Sequence, residues 1–569
     1  MAYVLDQKKC SCCHRCRVEC PVGAITFRNS KYWIDPDKCL GCGSCVKVCH
    51  NGCISDPAKP EKAVPHEKIL RECDVCVVGA GGAGMVAAAK AVDEGLKVVL
   101  LEKAHEAGGC AWYAGGFVSH YSQWHKAAGL EDKREALFRE FMEMTENRVD
   151  PKLLRRMFQA NVEFFDWMID SHEFGNDYYL GQREMIGNII YMPEAKYAWE
   201  HAAKRIDKMI GPGEVGWFIM TRLLRDFLAG GGEIFYKAEG KKLITGENGE
   251  VCGVLASDPG GEIEIRCKSV VLATGAFTHN REIMAKMQPL FYDDEGKEPV
   301  HIFTVPTCTG DGITMSRELG ADIDYENRRV NMFGPMRHPY PCASLHVAIC
   351  GSGVKFGSQG NVLEDFGGMH EVSPLVFDPK RYAWIIVDTS IVEAVVENEK
   401  KAPPQSKGMD LGAFMDKWRE VFAEEETAGS IVSAGTLEEL AGKLGFDAKT
   451  VADAIDEYNA GLAAGTGEGP GMFPGGLPRM PVKDGPFYAL KLKLFHEDAV
   501  GGMVTNENAS VMRGGEPIPG LYAAGDTTRG IMIPGDVGVE YVERIFSCLT
   551  QAFNEGYIAG TEAAKYAKK

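Results

Sequence analysis

The most regular hydrophobic pattern in the chain lies between Cys73 and Lys103. Asp74 to Val78 is a short valine-rich run, the composition of a parallel strand buried on both faces. Met85 to Glu94 is alanine-rich and free of proline and glycine, which predicts a helix. Gly95 stops it, and Lys97 to Leu101 predicts a second strand. Further along, residues 131–171 read as helical, with apolar positions at i, i+3 and i+4 and with Phe158, Phe164, Phe165 and Trp167 on the core side. Trp217 to Leu228 predicts another helix, ended by Gly230, Gly231 and Gly232. Residues 233–257 read as strands joined by a tight turn at Glu247 to Gly249, and Ser269 to Phe277 as a strand that closes on a glycine turn. Near the N-terminus, Ala24 to Phe27 and Tyr32 to Ile34 predict the two strands of a hairpin. Residues 57–68 carry three prolines and no apolar periodicity, as in a semi-rigid linker.

The residues between the first strand and its helix add chemistry. Gly79, Ala80, Gly81, Gly82, Ala83 and Gly84 fit G-x-G-x-x-G. Gly79 permits the tight turn, Gly81 lets backbone approach a pyrophosphate, and Gly84 lets helix pack on strand. The helix N-terminus faces the phosphate charge. Glu102, at the end of the second strand, is placed to accept ribose hydroxyls. Strand, helix, strand and acid in register make a βαβ dinucleotide unit, without saying which dinucleotide it takes.

Composition changes the picture at one end only. The chain has 569 residues, 45% hydrophobic and 25% charged, enough for several ordinary globular domains. A net charge of −18 argues against nucleic acid and anionic lipid as partners. No apolar run reaches the ~18 residues of a membrane span, and the first residues lack a signal peptide's apolar stretch, so a cytoplasmic location is expected. Ten of the 19 cysteines fall in the first 53 residues. Cys10, Cys13, Cys16 and Cys20 are spaced C-x2-C-x2-C-x3-C, and Cys39, Cys42, Cys45 and Cys49 repeat that spacing, with His50 where a second proline would stand. This is the pattern of a bacterial two-cluster ferredoxin. Three close cysteines wrap one face of a cube and the fourth comes from the other run. One [4Fe–4S] cluster is therefore expected on Cys10, Cys13, Cys16 and Cys49, the other on Cys39, Cys42, Cys45 and Cys20. A pair of zinc sites is the alternative. Cys12 and Cys53 fall outside the pattern and read as small buried residues.

The remaining motifs form an ordered series. After Glu102 and Lys103 come Gly108 and Gly109, then Gly115 and Gly116; then V-V-L-A-T-G at 270–275; then T-G-D-G at 309–312; then I-P-G-L-Y-A-A-G-D at 518–526. Over roughly residues 70–569 the chain resembles the fumarate reductase/succinate dehydrogenase flavoprotein family, which includes 3-ketosteroid dehydrogenases and enoate and enone reductases. The resemblance implies an α/β, Rossmann-like FAD domain with an inserted α+β cap, preceded here by an α+β two-cluster ferredoxin domain. The expected division is 1–56 ferredoxin domain, 57–68 linker, 69–325 first FAD-binding part, 326–485 cap, and 486–569 second FAD-binding part. By the resemblance, FAD would lie on Gly79, Gly81, Gly82, Gly84, Glu102, Lys103, Gly108, Gly109, Cys110, Ala111, Gly115, Gly116, Ala273, Thr274, Gly275, Asp311, Gly525, Asp526, Val537 and Gly538. Some members hold FAD covalently through a histidine before the second glycine pair. Residues 110–114 contain none, so non-covalent FAD is expected.

The same comparison argues against fumarate and succinate. Val362 stands where the family's proton-donating arginine would be, Asp498 where a histidine would be, and Asp536 where a clamping arginine would be. A buried carboxylate facing a substrate carboxylate repels it. The segment Ile533-Pro534-Gly535 is nearer the ketosteroid branch, although Ile533 replaces its tyrosine. The helix start at Gly535 to Gly538 could polarise a ketone. Proton-donor candidates are Tyr541, His496, Tyr340 and Arg529. The run His346 to Gly357 superficially resembles a second nucleotide loop but has no helix after it, so it reads as a cap loop and leaves no nicotinamide site. The function expected is reduction of a C=C bond conjugated to a carbonyl. Electrons would come from an external low-potential donor, ferredoxin- or flavodoxin-like or a partner reductase subunit, through the clusters to FAD. The alternatives are the reverse desaturation and an electron-transfer subunit of a larger complex. Oligomeric state is left open.

Overall fold

The computed structural model describes residues 2–6, 10, 15–18, 20–28, 31–47, 49, 52–57, 65–113, 118–174, 178–185, 188–195, 214–287, 301–302, 304–325, 333–335, 352–363, 378–380, 382–401, 416, 418–427, 429–465, 479–496, 501–531, 545–546 and 548–569.

The valine run becomes the strand Val75–Val78, near the middle of a six-stranded sheet. The order is Glu233–Tyr236, Val98–Glu102, Val75–Val78, Ser269–Leu272, Glu516–Ala523 and Ser510–Arg513. The first five run parallel and the last is antiparallel at the edge. Val75 and Val77 face one core, Cys76 and Val78 the other, as the two-residue period of a strand requires. The second core is closed by a four-stranded sheet of Ile69–Glu72, Glu239–Thr245, Val251–Asp258 and Gly261–Arg266.

The first core is helical. Gly82–Asp93 starts three residues before the alanine-rich run, because Gly81 takes an extended conformation and serves as its N-cap. The helix Cys548–Ala567 packs against it through glycines one turn apart. A Cβ on Gly556 would sit 2.4 Å from the Ala83 carbonyl oxygen, and one on Gly560 would sit 2.6 Å from that of Ala87. No side chain fits there. Residues 131–171 form two helices, Arg134–Met144 and Pro151–Ser171. Glu146 and Asn147 take left-handed conformations between them, and Asp150 caps the second by accepting from Lys152 N. Phe158, Phe164, Phe165 and Trp167 are buried in this core, as their spacing predicts. The strand expected over 269–277 stops at Leu272, where the chain leaves the sheet toward Gly275 at φ 70°.

A second six-stranded sheet builds the other body. Its central strand is Phe487–His496, paired with Tyr382–Asp388, Ile431–Ala434, Phe333–Pro335 and His301–Ile302. The expected boundary between cap and second FAD-binding part, at 485/486, falls at the start of this strand, whose hydrogen bonds join it to strands within 326–485 and to His301–Ile302. Val354–Gly357, read as part of a cap loop, is a buried strand beside Tyr382–Asp388. Its Val-Lys-Phe-Gly sequence is short and carries a lysine, so strand period alone did not mark it.

The N-terminal module holds the expected hairpin, Ile25–Arg28 with Lys31–Ile34, and a second ladder of Val4–Leu5 with Ile54–Ser55. Tyr32 is fully buried among its cysteines. Gly52 lies against the body built on the first sheet: a Cβ on it would sit 3.4 Å from His105 Nδ1.

Candidate functional site

The glycine loop has the shape a pyrophosphate needs. Gly79 has φ 100°, and a Cβ there would lie 2.3 Å from the Ala273 carbonyl oxygen. A Cβ on Gly84 would lie 1.8 Å from Gly79 O. Gly81 differs: a Cβ there meets nothing within 4 Å. Two glycines are thus demanded by the protein's own backbone, and the middle one opens on free space at a helix start. No side chain caps that helix, so its first N–H groups stay available to an anion. These residues fit the phosphates of FAD.

Glu102 is buried, and burial raises its pKa. Its Oε2 accepts from Ala80 N and its Oε1 from Ala104 N, each at 2.7 Å. The carboxylate therefore braces the glycine loop directly, beyond the ribose role read from sequence. Lys103 turns the other way. Its Nζ donates to Thr309 Oγ1 and, at 2.6 Å, to Asp311 Oδ2, tying the βαβ unit to the T-G-D-G turn. Gly312 N donates to Thr274 Oγ1, which in turn lies 3.0 Å from Thr527 Oγ1. Ala273 and Thr274 thus lie against Gly79, Asp311 is tied through Lys103 to the end of the second strand, and a Cβ on Gly525 would lie 2.9 Å from Ala83 Cβ; Gly275 borders Cys308, and Asp526 follows Gly525 in the chain. Gly109 approaches too, its Cβ position 3.2 Å from Gly81 Cα. Next to it Cys110 Sγ lies 3.9 Å from Cys308 Sγ, and Ala111 packs on Gly82.

Glu555 was missed by sequence reading. From the C-terminal helix its Oε2 accepts from Gly525 N at 2.8 Å and from Thr528 Oγ1 at 2.9 Å, while its Oε1 has no partner among the described residues. Burial pushes its pKa up to about 8. The only signal was a pair of polar residues one turn apart, Gln551 and Glu555, on an otherwise small and apolar helix face.

In the N-terminal module, Cys20, Cys39, Cys42 and Cys45 line one cavity with Pro21, Ala24, Ile25 and Ile34. These are the four cysteines grouped from spacing as one ligand set. Cys49 and Cys10 lie beside Cys53, Cys16 is buried in the same module core as Cys45, and Cys13 lies outside the described residues. Backbone N–H groups donate to Cys20 Sγ (from Ala24, 3.2 Å) and to Cys49 Sγ (from Cys53, 3.3 Å), as thiolate ligands of clusters require. Among the described residues, no three cysteine, histidine or carboxylate side chains converge as they would on a single ion. A cube takes its four thiolates on four separate irons, so the residues present fit [4Fe–4S] better than zinc.

The proton-donor candidates are not brought together among the described residues. Arg529 Nη1 pairs with Asp324 Oδ2 at 3.8 Å. His496 ends the central strand of the second sheet. Tyr340, Tyr541, Gly115, Gly116, Val537, Gly538, Asp498 and Asp536 lie outside the described residues. Val362 is 49% exposed and bridges Phe356.

A glycine cradle for FAD beside a cysteine module defines a flavin-dependent oxidoreductase that carries iron–sulfur chemistry. Residues 74–536 match the FAD binding domain family, and the chain belongs to it. Residues 30–51, spanning the second cysteine run, match a 4Fe-4S binding domain. The chain is 26% identical over 505 residues to the NADH:fumarate oxidoreductase of Klebsiella pneumoniae (strain 342), covering 87% of this chain and 48% of that one. It is 26% identical over 516 residues to the fumarate reductase (cytochrome) of Shewanella frigidimarina, covering 89% and 79%. It thus spans about half the length of the first relative and most of the second. The 3-ketosteroid delta1-dehydrogenase of Sterolibacterium denitrificans shares its fold, with a TM-score of 0.62 and 18% identity over 87% of this chain and 100% of that one. Among the described residues no helix is long and apolar enough to cross a membrane.

Proposed function

We propose that the protein is an FAD-dependent reductase of a C=C bond conjugated to a carbonyl, supplied with electrons through two [4Fe–4S] clusters. The observation that carries this reading is the contact of Gly52 with His105. Gly52 lies between Cys49 and Cys53, and His105 lies between Glu102 and Gly108, so the cysteine module abuts the segment that frames the flavin. When bound, FAD supplies hydride transfer and joins one-electron donors to two-electron chemistry. The chain's residues hold it by the uncapped helix start, Gly81, and the Lys103–Asp311 and Glu555–Gly525 braces.

The substrate in this reading is an enone or enoate rather than fumarate, because Val362, Asp498 and Asp536 remove three cationic positions by the family resemblance. The proton is assigned to a side chain of the closing segments, Tyr541 or His496 first, then Tyr340 or Arg529. Residues 1–56 act as the relay, 326–485 as the cap over the flavin, and the donor is an external low-potential protein.

The test is anaerobic. The dithionite-reduced protein is mixed with enones, enoates and steroid ketones, and flavin reoxidation is followed by absorbance. Reoxidation by an unsaturated ketone or ester, with fumarate inert, is expected. Reoxidation only by quinones or ferredoxins would overturn the reading and favour an electron-transfer subunit.

A further inference from the structure

The N-terminal module repeats itself. Cys10, Cys13, Cys16 and Cys20 recur as Cys39, Cys42, Cys45 and Cys49, each 29 positions later (39 − 10 = 29). The same step carries Ala24 onto Cys53 (53 − 24 = 29). The backbone keeps the repeat: Ala24 N donates to Cys20 Sγ at 3.2 Å, and Cys53 N donates to Cys49 Sγ at 3.3 Å. Both residues are buried, at 1% and 5% exposure. One half of the module therefore has a methyl group where the other has a thiol.

That thiol does not point into an apolar gap. Cys53 Sγ lies 3.0 Å from Cys49 Sγ, and the Cys10 thiol also borders it. Two thiolates on one tetrahedral metal, each at about 2.3 Å, lie about 3.8 Å apart. Thiolates on different irons of a cube are separated by more than that. The Cys53 sulfur therefore lies beside the one that Cys49 would offer to an iron, and it would share that corner rather than offer a fifth one.

We propose that Cys53 is a spare ligand, able to replace Cys49 on the same iron of the cluster assigned to Cys10, Cys13, Cys16 and Cys49. In the exchange the Fe–S bond to Cys49 breaks and one to Cys53 forms. The Cys53 thiol proton passes to the Cys49 sulfur, and no electron is gained or lost. The other cluster has no such reserve, because Ala24 stands in the matching place behind Cys20. The spare ligand serves the cluster on the His105 side of the module, since Gly52 joins the two cysteines. This inference rests on the two-cluster reading.

The test is iron and acid-labile sulfide analysis of the full chain, with low-temperature EPR of the reduced protein. The unmutated protein should hold about eight irons. About four would defeat the two-cluster reading itself, whatever Cys53 does. Given eight, Cys49→Ala should keep about eight with an altered EPR spectrum, whereas Cys20→Ala and the double variant Cys49→Ala/Cys53→Ala should fall to about four. A fall to about four in Cys49→Ala alone, with FAD content retained, would overturn the proposal. Cys53→Ala keeps all eight cysteines of the repeated spacing, so it gives a reading even where Cys49→Ala does not fold. Against an iron chelator it should lose half its iron several-fold faster than the unmutated protein, and equal rates would overturn the proposal.

Discussion

Glu555 accepts the backbone N–H of Gly525 at 2.8 Å and the hydroxyl of Thr528 at 2.9 Å, from a helix that begins more than twenty residues later in the chain. Glu555 is buried, and its second oxygen has no partner among the described residues. Among the same residues the nearby Gln551 side-chain oxygen finds no donor, and both side chains close on Gly530. A proton on Glu555 supplies the missing donor. Its pKa, raised to about 8 by burial, lies above the ordinary glutamate value. The folded state then binds more protons than the unfolded one between about pH 4.5 and about pH 8, so this contribution is fully present in acid and lost as pH rises through that window. Glu555→Gln keeps the acceptor and supplies a permanent donor. Its thermal midpoint should exceed the parent's by a margin that grows from about pH 5 to about pH 8, at roughly 2–4 °C per kcal/mol. A constant difference across that range would show that Glu555 does not titrate there.

Two glycines of one loop should respond oppositely. Gly81→Ala adds a methyl group to open space, so the apoprotein should melt within about 1 °C of the parent, a surface-like effect. Its FAD content should fall at least tenfold, because the methyl group occupies the pyrophosphate's approach. Gly79→Ala forces a left-handed residue onto the Ala273 carbonyl and should cost about 2 kcal/mol or more in the apoprotein. Flavin-to-protein ratio and apoprotein melting, measured side by side, check both.

Asp311→Asn removes the charge that Lys103 Nζ meets at 2.6 Å, in a pair whose side chains are 18% and 17% exposed. Breaking a half-buried pair leaves Lys103 short of a partner, at about 1–3 kcal/mol. The loss should appear as weaker FAD retention on dilution, because the pair joins the glycine loop to the T-G-D-G turn. Lys103→Ala/Asp311→Ala should cost less than the two single changes summed, which a double-mutant cycle measures.

His120 packs between Phe158 and Phe546, at ring distances of 4.8 and 4.6 Å. Burial, reinforced by His125 and Arg134, lowers its pKa to about 3, and burial lowers that of His125 to about 4. These groups are neutral in the folded state and charge on unfolding. The stability they permit is present above about pH 6.5 and is lost as pH falls toward those values. His120→Phe should give up about 1 kcal/mol at neutral pH through loss of the ring's hydrogen bond to the Ile545 backbone, yet flatten the loss of melting temperature between about pH 6.5 and about pH 4. An unchanged acid slope would assign the sensitivity to His125 and the carboxylates.

Much of the site was legible locally, and the reason is spacing. The βαβ glycines, and the three close cysteines of each run, are spaced a few residues apart, so their order in the chain records a local pattern. Asp150, which caps the second of the two helices within 131–171, carried the same kind of local signal but was not read. What escaped depends on partners far apart. Glu555 meets Gly525 across an intervening helix-sized gap, and His172 is held between Asp93 and Asp226 at 3.2 and 2.8 Å. No local pattern distinguishes such a carboxylate from a solvated one. The neighbours of Phe487–His496 escaped for a related reason. Its apolar alternation announces a strand but does not name its neighbours, and the sheet it completes is drawn from strands as far back as His301.

The close fit of Gly556 on Ala83 also bears on how the protein is made. The two residues are 473 positions apart (556 − 83 = 473), and the fifth parallel strand, Glu516–Ala523, follows almost the whole second sheet. Until that strand and the last helix have been synthesised, the first core lacks a wall and the glycine loop lacks Gly525 and Glu555. At synthesis rates of about 5–20 residues per second, the nascent dinucleotide unit waits on the order of tens of seconds for its closing partners. Cofactor capture is therefore a late event in biosynthesis, whereas the cysteine module, whose own ladders lie within its first 55 residues, is complete long before it.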